Sequence, residues 1–180
     1  MKNLIVYGSK YGSSKKYAER LSQLTGIYLA DYKEVKDLKV YDNVIYLGGI
    51  YASKVRGLKK TSKKMKDDAR LILVTVSLGN PNTNKSIKEN IRTANKKLLK
   101  KPLLDKLKFF HLVGSMDYPN LKRFDRAVMS FVFRMLKKQN IQGPDAKRMI
   151  AASEGKVAEL DYSSLEKIIN YLKEMKIIKQ

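Results

Sequence analysis

The chain has 180 residues, the length of about one domain, with 43% hydrophobic and 31% charged residues, enough to bury a sizeable core. Lysine and arginine number 38 against 17 aspartate and glutamate, and the resulting net charge of +21 must sit mostly on the surface, where it favours an anionic partner. With no cysteine and one histidine, disulfides, zinc–thiolate and iron–sulfur sites, thiol catalysis and multi-histidine metal centres are all excluded, so no metal site is expected.

Three short runs, Leu4–Tyr7, Val44–Leu47 and Leu71–Val76, are rich in β-branched residues and lack polar alternation, the pattern of strands buried on both faces. Each leads into Gly, Ser or Asn and then a charged segment of helical period. Tyr17, Ala18, Leu21 and Leu24 line one helix face before Gly26; Ile87, Ile91, Ala94 and Leu98 make a second stripe. A weaker strand is expected at Ile27–Tyr32 and a fifth at Phe109–Gly114. Between the strands at 44–47 and 71–76, Lys54–Lys66 reads as a basic helix anchored by Val55, Leu58 and Met65. Ser163 and Glu166 form a capping-box pattern ahead of a last helix lined by Leu165, Ile168, Ile169 and Leu172. Alternating strands and helices predict a doubly wound parallel sheet in one domain spanning 1–180. The segment 117–153 is longer than a simple connection and carries its own amphipathic helix, 121–138. No apolar run approaches the ~18 residues of a spanning helix, and the first apolar run is too short for a signal peptide, so a cytoplasmic protein, soluble or peripheral, is expected.

The turn Ser9, Lys10, Tyr11, Gly12, Ser13, Ser14 joins the first strand to the first helix, where free amides, the helix dipole and three hydroxyls favour an anion. It matches neither the P-loop nor the dinucleotide turn. A serine-capped turn without a ligand is the competing reading. The spacing of Ser9, Gly12 and Ser14 resembles the flavodoxin phosphate loop, which implies non-covalent FMN and the strand order 2-1-3-4-5. In that likeness Gly49, Ile50, Tyr51 and Ala52, after the third strand, and Ser77, Leu78, Gly79 and Asn80, after the fourth, hold the isoalloxazine ring at the topological switch point. FAD would need a second nucleotide site, which the sequence does not offer.

A narrower likeness comes from Val113–Pro119 followed by Lys122–Arg126 and a basic apolar helix. Tyr118–Pro119 and Asp125–Arg126, in order after the phosphate loop, resemble the menaquinone-dependent protoporphyrinogen dehydrogenase family of flavodoxin-like proteins. That resemblance implies oxidation of protoporphyrinogen with electrons passed to a membrane quinone; Arg56, Asp117, Tyr118, Lys122 and Arg123 are the candidate substrate-binding residues. A flavodoxin-type electron carrier or another FMN-dependent quinone reductase is the alternative, and a basic binding module without redox chemistry a third. No acidic or histidine pair forms an acid–base couple, so no side chain is assigned a catalytic role and the chemistry is left to the flavin. His111, among Phe109, Phe110, Leu112 and Val113, reads as a satisfied half-buried residue rather than a base.

On a wheel of about 100° per residue, Leu121, Phe124, Val128, Phe131, Val132 and Met135 share one arc, Met129, Phe133 and Leu136 widen it, and Lys122, Arg123, Arg126, Arg134, Lys137 and Lys138 lie opposite. Aromatics beside cations suit an anionic membrane surface; an added core helix or a contact between two copies in a homo-oligomer is the other reading. The lysine pairs at 59–60, 63–64, 96–97 and 100–101 read as solvated faces. With no nucleic-acid-binding motif beside them, nucleic acid is not the expected partner.

Overall fold

A computed structural model describes residues 1–51, 54–79, 85–115, 118–119, 121–138, 147, 150–151 and 159–179. In chain order the elements are β1 (Asn3–Gly8), α1 (Ser13–Thr25), β2 (Leu29–Asp31), β3 (Asn43–Tyr51), β4 (Lys54–Val55), α2 (Leu58–Ser62), β5 (Arg70–Ser77), α3 (Lys85–Lys96), α4 (Lys101–Asp105), β6 (Lys108–Val113), α5 (Arg123–Lys138) and α6 (Glu166–Glu174), the last entered through a 3-10 turn at Tyr162–Leu165.

Five strands run parallel in the order β2-β1-β3-β5-β6, the expected flavodoxin-like arrangement. The register sets Val6 beside Tyr46, Tyr46 beside Leu73, and Leu73 beside Phe109. Successive side chains of a strand point to opposite faces, so continuous apolar runs bury both. On one face Ile5, Ile45, Leu47, Ile72, Val74 and Leu112 pack under Tyr17 and Leu21 of α1 and Ile168 and Leu172 of α6. On the other, Leu4, Val6, Val44, Tyr46, Leu71 and Leu73 pack with Val55, Leu58, Met65 and Leu103. This double burial is why no alternation appears in the sequence.

Three expectations need correction. Lys54–Lys66 is not one helix. Lys54 and Val55 turn back on β3 as the antiparallel strand β4, pairing Ile50 with Val55, and Gly57, at φ 78°, breaks the chain before the short α2. Val55 is buried, and its Cγ1 fills the space that a side chain on Gly48 would need. The last helix opens on Asp161 rather than on a Ser163–Glu166 box: the Asp161 carboxylate accepts from the Ser163 amide at 3.0 Å and from its hydroxyl at 2.6 Å, which winds a 3-10 turn before α6. The helix drawn over 121–138 starts at Arg123.

Asn95 of α3 was missed as a structural residue. Fully buried, it accepts from the Val55 amide at 2.7 Å and donates to the Ile91 carbonyl at 2.7 Å. One amide side chain thereby closes α3 over the back of the β3–β4 hairpin.

Candidate functional site

The carboxyl ends of β1, β3, β5 and β6 converge on a cavity of about 470 Å³. Its walls are the turn Ser9–Ser14, the end of β3 with Arg56 returning beside it, Val76–Gly79, Gly114–Ser115, and one face of α5. The site lies at the switch between β1 and β3, as an open α/β sheet requires.

Gly12 takes φ 94°, a backbone angle that side chains rarely adopt, and caps α1 with no side-chain hydrogen bond. The first amides of α1 have no intrahelical partner and no serine cap, so they stay open to a ligand. The three hydroxyls assigned to the anion are not equivalent. Ser9 Oγ accepts from the Gly12 amide at 3.0 Å, which shapes the turn. Ser13 Oγ donates to the Ser115 carbonyl at 2.8 Å and accepts from its amide at 3.0 Å, which ties the turn to the end of β6. Ser14, 2% exposed, keeps its hydroxyl for whatever fills the cavity.

Lys10 bridges the turn to α5. Its Nζ lies 2.5 Å from Asp125 Oδ1, 4.1 Å from the centre of the Tyr51 ring and 5.4 Å from that of Tyr11. Burial alone would lower the pKa of this ammonium, but hydrogen bonds to Asp125 and Tyr11 outweigh it and the net shift is upward. Burial raises the Tyr11 phenol, against the opposing pull of Lys10, so the phenol stays protonated. Asp125, 5% exposed, is an inward-facing carboxylate on a basic helix, and Val128 and Met129 complete that wall. The sequence had placed Asp125 only within a family motif. The available signal was that α5 has one acidic residue, four positions before Met129 and eight before Phe133.

Of the predicted ring-binding residues, Gly49, Ile50, Tyr51, Ser77, Leu78 and Gly79 line the cavity; Ala52 and Asn80 lie outside the described residues. Of the substrate candidates, Arg56 lines the cavity, while Lys122 and Arg123 are exposed beyond it. Tyr118 packs edge-on against the buried Phe133, ring centres 5.3 Å apart, and so helps seat α5. Asp117 lies outside the described residues. Lys54 faces the other side of the hairpin, in an open recess with Lys59, Lys60 and Lys63. His111 is half-buried behind Ser77, its Nδ1 2.7 Å from Thr75 Oγ1 and its Nε2 3.3 Å from Ser77 Oγ, as expected of a satisfied histidine. Among the described residues no cluster of His, Asp and Glu could hold a metal ion, and no helix is long and apolar enough to cross a membrane.

The donor set fits FMN. Open amides and Ser14 face the position for a phosphate, Tyr51 and the backbone at Gly49–Ile50 and Leu78–Gly79 flank a slot for a ring, and the Arg56 Nε is buried without a hydrogen-bond partner. A doubly wound sheet with this turn and these two loops defines a flavodoxin-like protein. The Flavodoxin domain family model matches residues 4–142, and the chain belongs to that family. No curated protein matches it. Among solved structures it is similar to a flavoprotein in complex with FMN from Lactobacillus acidophilus (15% identity, 62% of this chain and 91% of that one, TM-score 0.41). It is also similar to a flavodoxin from the domain Archaea (14%, 86% and 97%, 0.35) and to a WrbA-like flavodoxin from Agrobacterium tumefaciens (14%, 86% and 99%, 0.41).

Proposed function

We propose that this protein is an FMN-dependent oxidoreductase that works at an anionic membrane surface, oxidising protoporphyrinogen and passing the electrons to a lipid-soluble quinone. The observation that carries the reading is the placement of α5. Its Asp125, Met129 and Phe133 row turns inward, while Phe124, Val128, Phe131 and Met135 form an exposed ridge, Phe124 being 71% and Phe131 62% exposed. Exposed Lys122, Arg123, Arg126, Arg134 and Lys138 accompany the ridge. Val128 belongs to both surfaces, so the ridge runs to the mouth of the cavity. An apolar ridge beside cations is the pattern of a helix lying in a lipid interface, with each Lys or Arg near an anionic leaflet contributing on the order of 1 kcal/mol.

FMN supplies the hydride and electron chemistry when bound. The protein's own groups do the rest: the α1 amides and Ser14 hold the phosphate, Tyr51 supports the ring, and α5 shields it from water on one side. The exposed cations at the start of α5 attract the two propionates of the substrate, each exposed pair contributing little by itself.

Vesicles test the reading. The FMN-loaded protein should sediment with anionic vesicles and not with neutral ones, lose that binding in salt, and be reoxidised faster by a menaquinone analogue held in those vesicles than by the same quinone in detergent. Equal sedimentation with both lipids, or with neither, contradicts the membrane reading. Reoxidation by a small soluble redox protein but not by quinone replaces it with that of an electron carrier.

A further inference from the structure

Three charged side chains line the cavity among the described residues: Lys10, Arg56 and Asp125. Lys10 and Asp125 neutralise one another at 2.5 Å. Arg56 is left over. Its backbone is clamped, the amide donating to the Gly49 carbonyl at 3.0 Å and the carbonyl accepting from the Tyr46 hydroxyl at 2.5 Å. Its guanidinium has no such fixture: Nε is buried without a hydrogen-bond partner, and no carboxylate among the described residues lies within ion-pair distance. A buried donor left unmade is costly, and a cation facing a partly dehydrated cavity acts over a longer range than one in water.

We propose that Arg56 is a charge-tuning residue for the bound flavin, whose counter-charge arises on the ring when it is reduced. The inference rests on the FMN reading above. Adding a hydride, two electrons and one proton, to the neutral oxidised ring gives a reduced ring of charge −1 as long as N1 stays unprotonated. In the oxidised state Arg56 faces a neutral ring; in the reduced state it faces an anion. The phosphate is charged in both states, so a residue serving the phosphate would stabilise both alike, whereas Arg56 favours the reduced cofactor selectively. The other titratable groups facing the cavity are Lys10, Tyr11, Tyr51 and Asp125, with His111 one layer back behind Ser77. Asp125 is matched by Lys10, so the net charge left facing the ring is that of Arg56. Such a site holds electrons taken from a substrate more firmly than a neutral or acidic one would, which suits a dehydrogenase better than a low-potential carrier.

The test is an anaerobic dithionite titration of the FMN-loaded full chain against a reference dye, over a pH series, for the wild type, Arg56→Gln and Arg56→Lys. Arg56→Gln should lower the preference for reduced over oxidised FMN by at least tenfold, about 30 mV in midpoint for a two-electron couple. On the acid side of neutrality the wild type should change by about 30 mV per pH unit, one proton per two electrons, and Arg56→Gln by about 59 mV, two protons. Arg56→Lys should retain most of the wild-type potential and slope. Equal weakening of oxidised and reduced FMN, an unchanged potential in Arg56→Gln, or a two-proton slope in the wild type overturns the proposal while leaving the FMN reading of the site intact. If Arg56→Gln fails to fold, the wild-type slope and the Arg56→Lys potential still decide. Failure of the wild type to quench FMN fluorescence overturns the FMN reading and this proposal together.

Discussion

Replacing Gly12 by valine separates a backbone-built phosphate site from an ordinary turn. A Cβ at Gly12 would meet nothing within 4 Å beyond its chain neighbours, so the first penalty of a side chain there is the φ of 94°. Holding a non-glycine residue at such an angle costs about 1–3 kcal/mol, at the upper end for a β-branched side chain. The chain can escape that cost only by rotating the turn, and the rotation would break the Ser9 Oγ contact with the Gly12 amide and swing the first amides of α1 off the cavity. Losing one charge-assisted hydrogen bond to a phosphate costs about 1.5–3 kcal/mol, or roughly 10- to 150-fold in Kd. FMN titration by fluorescence quenching should therefore show at least a tenfold loss for Gly12→Val, and a smaller one for Gly12→Ala, with far-UV circular dichroism unchanged. Wild-type affinity in a folded Gly12→Val protein would refute the reasoning and move the phosphate elsewhere.

Asn95→Leu should cost about 1–3 kcal/mol in urea unfolding, because the Val55 amide loses its acceptor in a dry environment; an unchanged midpoint contradicts the role given to Asn95. Asp125→Ala leaves Lys10 unpaired beneath α5 and should expose α5 to limited proteolysis before the rest of the chain; an unaltered cleavage pattern argues against the pair as the tether of that helix. Phe124→Ser with Phe131→Ser should abolish sedimentation with anionic vesicles and leave the melting temperature within a degree or two, since both side chains are exposed; lost stability would mean that the ridge is buried against protein. The Lys66 ammonium and the Lys2 amide hold the Asp42 carboxyl below its ordinary value, so its contribution is present above the usual carboxylate range and is lost as pH falls through the lowered pKa. Asp42→Asn should therefore flatten the acid side of the stability profile, and an identical slope in both proteins would remove Asp42 from it.

The parallel sheet was legible because its strands are buried on both faces: Leu4–Tyr7 carries no charged residue and Leu71–Val76 only the buried Thr75, so nothing marks a solvated side. The glycine turn between β1 and α1 was legible for a local reason, since the strand, the turn and the helix that require Gly12 lie within a few adjacent residues. Features that depend on distant partners were not. Strand β4 is two residues long, paired antiparallel with β3 and held from behind by Asn95, forty positions away, which accepts the Val55 amide. Asp125 turns inward because Lys10, 115 positions earlier, meets it across the cavity. The helical wheel found the wide apolar side of α5 but not which part of it faces the protein: the Asp125, Met129 and Phe133 row packs inward, and Phe124, Val128, Phe131 and Met135 are exposed. Charge alone does not distinguish a cavity wall from its rim: of the candidate substrate cations Arg56 lines the cavity, while Lys122 and Arg123 lie outside it.

The most direct measurement is the absorbance of the FMN-loaded protein mixed anaerobically with protoporphyrinogen. The oxidised flavin band should bleach as protoporphyrin appears in the proportion set by electron count, three bound flavins reduced for each porphyrinogen losing six electrons, and a menaquinone analogue should restore the band. A flavin that binds and stays oxidised in the presence of protoporphyrinogen, yet is bleached by a low-potential protein donor, would contradict the proposed function.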